Sequence, residues 1–136
     1  MIPELLAGWS PSEVTRPYWD AAATGRLCLQ RCQGCGALQH PPRALCTGCG
    51  GPSRLVWEEV SGAGSIYSST AIHRALIPAL ATHVPYTLAV VELDEGPRMV
   101  TAVRGASLEA VTIGSRVRVA FESVSAEVVL PVFTLA

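Results

Sequence analysis

From Leu55 to the C-terminus, apolar and polar residues alternate with a period near two, the mark of half-buried strands. Leu55–Val60 and Ser65–His73 read as strands, and Gly62 and Gly64 between them mark a bulge or bend. Tyr86–Leu93 is rich in β-formers, Asp94-Glu95-Gly96-Pro97 supplies a turn, and Arg98–Arg104 runs back as the second arm of a hairpin. Val117, Val119 and Phe121 share one face of a further strand, with Arg116, Arg118 and Glu122 near the other. Val128–Leu135 closes the chain, and Leu108–Val111 has the makings of one helical turn. Counting Leu55–His73 as one long, bent strand gives five strands, with a helical or irregular link between the third and fourth. That count and order suit a small Greek-key barrel of the OB type, and a plain β-sandwich is the competing arrangement.

Ahead of the barrel the period is lost. Residues 1–14 hold Pro3, Trp9 and Pro11 and read as an extended arm, with Trp9 an anchor for its own body or for a partner. Thr15 to Gly25 reads as a short helix: Thr15 suits the N-cap, Pro17 the first turn and Gly25 the stop. Tyr18, Trp19 and Ala22 are available for one side, and a helix this short must pack on something to persist. Residues 26–31 read as a strand leading to Cys32, and Ala37–His40 as its return.

The sharpest motif lies between these parts. Cys32, Cys35, Cys46 and Cys49 form two C-x-x-C-G knuckles ten residues apart. A tight C-x-x-C turn delivers two thiolates to one ion, and two such turns complete a tetrahedral Zn²⁺ shell. Gly36 and Gly50 follow the knuckles where a left-handed backbone is often required. Four thiolates leave no open position for water or substrate, so the expected zinc is structural. The same four thiolates would also suit iron, which keeps a rubredoxin-like electron carrier as an alternative. Cys28 falls outside both knuckles and reads as a small buried hydrophobe. His40 has the chemistry to replace a cysteine, but the spacing does not call for it.

Charge narrows the functional classes. Ten basic residues face eleven acidic ones among 136, so no sequence-wide field draws the chain to nucleic acid or to an anionic membrane. No apolar run approaches the ~20 residues needed to span a bilayer. Five cysteines, with no basic start and apolar run at the N-terminus, suggest a reducing, cytoplasmic setting. The chain carries neither G-x-x-x-x-G-K-[ST] nor G-x-G-x-x-G. Its histidines are His40, His73 and His83, and they form no readable catalytic set. Asp94 and Glu95 read as solvated turn residues, and Glu58 and Glu59 as surface partners within the first barrel strand. The expectation is a binding or scaffolding subunit with no catalytic residue. Residues 74–85, RALIPALATHVP, are too apolar for an ordinary solvated loop, which leaves packing on the barrel or contact with a partner or ligand.

Taken together, YWDAAATGRL, CQGCGALQHPPRALCTGCG, WEEVSGAGSIYSSTAIHR, VPYTLAVVELDEGPRMVTAV and IGSRVRVAFE resemble the zinc-ribbon/OB-fold proteins that accompany thiolases and related acyl-CoA enzymes. The resemblance runs from about Tyr18 to the end. It implies a mostly β fold: a short N-terminal helix and arm over 1–25, a rubredoxin-like zinc ribbon over 26–54 and a five-stranded OB barrel over 55–136. It implies that Cys32, Cys35, Cys46 and Cys49 hold Zn²⁺. It also implies a thiolase-like or lipid-transfer-protein-like partner, and a fatty or steroid acyl-CoA as ligand. Members fused to a hydratase-like domain need more chain than is present here. Trp19, His73, Arg74, Leu76, Ile77 and Leu80 are the candidate contacts to partner or acyl-CoA. The alternative from a different class is a single-stranded nucleic-acid binder, with Arg98, Arg104, Arg116 and Arg118 as a local basic patch.

Overall fold

The computed structural model describes residues 9–51 and 54–136. The first part of the expected N-terminal arm thus lies outside the described residues. Trp9, within the arm, docks on the chain's own body: its ring meets Trp19 edge to face, with centroids 5.3 Å apart. Helix α1 (Arg16–Ala23) buries Tyr18, Ala21 and Ala22. Thr15 stands at the N-cap, but its hydroxyl accepts from the Ser12 N–H at 3.1 Å instead of capping the helix. Gly25, at φ +78°, ends it: the N–H groups of Gly25 and Arg26 return to the carbonyls of Ala22 and Ala21.

The next strands make a three-stranded sheet, β2 (Leu38–Gln39), β1 (Cys28–Cys32) and β3 (Leu55–Glu59), in that spatial order. Here the structure departs from the pattern reading. Leu55–Glu59 pairs antiparallel with β1, Cys28 opposite Glu59 and Cys32 opposite Leu55, and so belongs to the ribbon sheet and not to the barrel. A period of two identifies a strand but not its neighbour. The break comes at Gly62, at φ +76°, where an added Cβ would overlap the Val119 side chain. No other residue type fits that corner, and the chain turns there from one sheet into the other.

Five strands then close a barrel: β4 (Ala63–Ile72), β5 (Tyr86–Leu93), β6 (Arg98–Arg104), β7 (Arg116–Ser123) and β8 (Val129–Leu135), in the order β4-β5-β6-β8-β7. Of the bulge or bend expected at Gly62 and Gly64, the structure has the bend, at Gly62; a register shift in the β4–β5 ladder lies further on, between Ile66 and Ser68. Gly64 serves close approach: a Cβ there would lie 2.5 Å from the Glu92 carbonyl oxygen. The helical link between the third and fourth barrel strands is a 3₁₀ turn, Leu108–Ala110, capped by the Ser107 hydroxyl.

Closure is uneven. The parallel β6–β8 ladder holds only Val103 opposite Phe133 and Arg104 opposite Thr134. Pro131 has no N–H to offer, which weakens any extension of that ladder; the Thr101 hydroxyl reaches its carbonyl at 3.5 Å. Helix α1 packs against β8 at this seam. One apolar cluster runs through the whole molecule: Phe133, Val91, Val117, Ile66 and Leu93 of the barrel join Tyr18 of α1 and Leu27 and Leu29 of the ribbon.

Candidate functional site

Strand β1 delivers Cys32, and the chain turns at once into the first knuckle. Gly36, at φ +79°, donates to the Cys32 carbonyl at 2.8 Å, and Gly50, at φ +66°, donates to the Cys46 carbonyl at 3.0 Å. The two C-x-x-C-G segments therefore fold alike and present four sulfurs, all within 4.8 Å of one another. Across the knuckles, Cys32 Sγ is 3.9 Å from Cys49 Sγ, and Cys35 Sγ is 3.5 Å from Cys46 Sγ. A tetrahedron with Zn–S bonds of ~2.3 Å has edges of about 3.8 Å. The protein thus has a zinc ribbon whose four cysteines are positioned to bind a metal.

Local dipoles favour thiolate at one of these positions. The N–H groups of Cys49 and Gly48 point at Cys46 Sγ, from 3.5 and 3.3 Å, and bring that thiol down to about 6. Cys35 also gains from the Ala37 N–H, but sharing a proton with Cys46, together with desolvation, pushes it up to about 11. Cys28 is buried outside the cluster, as its position in sequence implies. His40 stands apart from the metal cluster. It packs on Tyr18, with centroids 5.5 Å apart, and burial lowers it to about 4.

Sequence reasoning missed the residues that hold the second knuckle. Gln30 and Gln39 are buried side by side, the Gln39 amide donating to Gln30 Oε1 at 2.9 Å. Gln30 Oε1 also accepts from the Arg43 N–H at 2.8 Å, while its Nε2 donates to the Arg43 carbonyl at 3.0 Å. Gln39 Nε2 reaches the Leu45 carbonyl at 3.2 Å, and its Oε1 accepts from the Thr47 N–H at 2.9 Å and hydroxyl at 3.1 Å. The only signal in the sequence is an amide in each of the two short strands flanking the first knuckle.

The candidate contact residues fall into two groups that the structure keeps apart. Trp19 lies with Tyr18, His40 and Pro41 around a cleft of about 270 Å³ that also reaches Met99, Val100, Leu130 and Pro131. That is the first end of β6. His73, Arg74, Leu76, Ile77 and Leu80 belong to the β4–β5 connection, which rejoins the sheet at Tyr86, beyond Thr87 and its partner Val103 near the other end of β6. The connection makes a 3₁₀ turn, Pro78–Leu80, and leaves Leu76 83% and Ile77 47% exposed. Leu76 thus stands almost wholly open to solvent, and Ile77 about half so.

The expected basic patch is largely neutralised. Arg98 meets Glu92 at 3.0 Å, Arg104 meets Glu122 at 2.9 Å, and Arg116 grips Asp94 with two hydrogen bonds of 2.8 and 2.7 Å. Arg98 also lies over the Tyr67 ring, 3.7 Å from its centroid. Asp94 and Glu95 are thus more than solvated turn residues. Arg116 lowers the Asp94 carboxyl, and Glu95 accepts from the Ser61 N–H at 2.7 Å. Glu58 pairs with Arg31 at 2.7 Å and Glu59 with Arg26 at 3.8 Å, surface pairs as expected but across the ribbon sheet. Among the described residues no helix is long and apolar enough to cross a membrane.

Comparison with known proteins gives consistent matches. Residues 19–54 match the family described as "ChsH2, rubredoxin-like zinc ribbon domain", and residues 57–122 match "ChsH2, C-terminal OB-fold domain". A DUF35 domain-containing scaffold protein of Methanocaldococcus jannaschii is 31% identical over 101 residues, 73% of this chain and 71% of that protein. A probable enoyl-CoA hydratase alpha subunit of Thermomonospora curvata is 37% identical over 118 residues, 85% of this chain. The chain spans only about a third (35%) of that longer relative. Among solved structures, the "Ltp2-ChsH2(DUF35) aldolase" superposes with a TM-score of 0.81 at 34% identity, covering 93% of this chain and 97% of that one.

Proposed function

The chain belongs to the DUF35 family of zinc-ribbon/OB-fold proteins, and from that premise we propose that it is a non-catalytic scaffold subunit of an acyl-CoA enzyme. Its partner is a thiolase-like or lipid-transfer-protein-like aldolase, and it supports binding or transfer of a fatty or steroid acyl-CoA there. The observation that carries this reading is the near-complete superposition on the DUF35 chain of an aldolase. Two features of the molecule support it. Among the described residues the metal-ligating constellation is a four-cysteine cluster with no ligand position left open, and Leu76 and Ile77 stand exposed where a partner could bury them.

In this reading Cys32, Cys35, Cys46 and Cys49 hold one Zn²⁺. The ion fixes the fold of the knuckles and takes no part in turnover. Leu76, Ile77 and Leu80 form one contact with the partner, and Trp19 belongs to a second at the cleft beside α1. His73 and Arg74, both exposed next to Leu76, meet a CoA phosphate.

Co-expression with a thiolase-like enzyme encoded beside this chain tests the proposal. The expected result is one co-eluting complex whose enzyme loses solubility or activity when the chain is withheld. Separate elution, with an equally soluble and active enzyme, would contradict the scaffold reading. Turnover of an acyl-CoA by this chain alone would contradict the non-catalytic part of it.

A further inference from the structure

A two-residue knuckle cannot orient its own sulfurs; something must fix the chain on both sides of it. For the first knuckle this is the β1–β2 ladder, with Gln30 opposite Gln39 and Arg31 opposite Leu38. The second knuckle has no such frame. Residues 40–54 contain no strand among those described, Leu45 is 53% exposed, and the only hydrophobic side chain buried there is Cys46 itself.

What takes the place of a ladder is the amide pair. Gln39 binds the carbonyl of Leu45 and the N–H of Thr47, the two residues that bracket Cys46. Gln30 binds both the N–H and the carbonyl of Arg43, three residues upstream, and the two amides bind each other. A side-chain amide has one acceptor and one donor end, as a peptide does, so these two glutamines imitate a strand for a segment that lacks one. Both are almost fully buried, at 4% and 7% exposure, so their bonds form in a low-dielectric setting with little water to compete. The same fixed segment aims the N–H groups of Gly48 and Cys49 at Cys46 Sγ.

We infer that Gln30 and Gln39 are positioning residues for the metal centre, setting how long the second knuckle retains its ion by holding Leu45 and Thr47 on either side of Cys46. This rests on the zinc reading of the four cysteines. Side chains that orient ligands from behind commonly alter metal affinity by about 10–100-fold.

The test is the rate at which the zinc-loaded protein passes its metal to a chromophoric chelator, read beside amide exchange of the barrel. Gln39→Leu should speed release by about 10–100-fold, and Gln30→Leu by less, because it spares the bonds to Leu45 and Thr47. Barrel protection should not change in either. Should Gln39→Leu fail to fold, Thr47 decides the matter on the protein surface. Thr47→Val removes only the hydroxyl bond to Gln39 and should speed release by a few-fold, while Thr47→Ser keeps it and should match the parent. In the cobalt-loaded protein, the ligand-field bands of Gln39→Leu should shift and broaden, which a general loss of stability would not cause.

Release rates within twofold of the parent in Gln39→Leu, or equal rates for Thr47→Val and Thr47→Ser, would overturn the inference. A parent protein without stoichiometric zinc would overturn the metal reading beneath it, a separate and recognisable failure.

Discussion

The knuckle segment and the barrel are held by different forces. Between Gln33 and Gly51 the buried residues are Cys46 and Gln39, and not one aliphatic side chain is among them. In the barrel, Phe133, Val91, Val117, Ile66 and Leu93 each keep 2% exposure or less and lock five strands around one core. Burying such a side chain is worth about 1.5–3 kcal/mol, a source of stability the knuckle segment has only in part, through Leu38, which packs partly buried against the core. What it has instead is four cysteines positioned to bind a metal and a handful of hydrogen bonds. The difference teaches that the two parts should fail under different insults.

The largest effect should come from the metal. Zinc binding to a structural site contributes on the order of 10 kcal/mol, comparable with the stability of a small domain. Cys46→Ser should abolish stoichiometric zinc by elemental analysis and unfold residues 33–51, while far-UV circular dichroism keeps the barrel signal. Next comes the barrel core. Phe133→Ala should cost about 3–5 kcal/mol in denaturant unfolding. Below its melting point the variant should still release zinc at the parent's rate.

His40 should give a smaller, pH-dependent effect. Burial holds it near 4 in the folded protein, against an ordinary value of 6.5. Below pH 6.5 the unfolded chain takes up a proton that the folded protein refuses, so stability falls as pH drops from about 6.5 to about 4 and then levels off. The loss amounts to about 3 kcal/mol at most. His40→Leu should flatten chemical denaturation midpoints across that window relative to the parent. Smallest in stability should be Leu76→Asp, because that side chain is 83% exposed. It should change unfolding free energy by less than about 0.5 kcal/mol yet weaken co-elution with the partner enzyme.

How much of this was legible in the sequence varies with the reach of the interaction. The cysteines were plain, since a metal site writes its ligands into a fixed local spacing. The hairpin β5–β6 was plain because both strands bury alternate residues, while β8 buries Pro131, Val132 and Phe133 in a row and was legible only as a run of β-formers. The allegiance of Leu55–Glu59 was not, because its partner β1 lies some 27 residues upstream, Arg31 reaching Glu58, and nothing local names it. The roles of Gln30, Gln39, Asp94 and Glu95 were hidden for the same reason. A polar residue looks the same in sequence whether its partner is water or a distant backbone. Local sequence also does not tell that Trp19 stands beside the cleft at the start of β6 while Leu76 lies on the connection near its other end.

The most direct test of the central claim is residue-level hydrogen exchange on the intact protein before and after a chelator removes its metal. The account predicts that amides of residues 33–51 lose their protection, while those of β5, β6 and β7 stay within about tenfold of the loaded protein. Collapse of the barrel together with the knuckles, or knuckle protection that survives without metal, would contradict it.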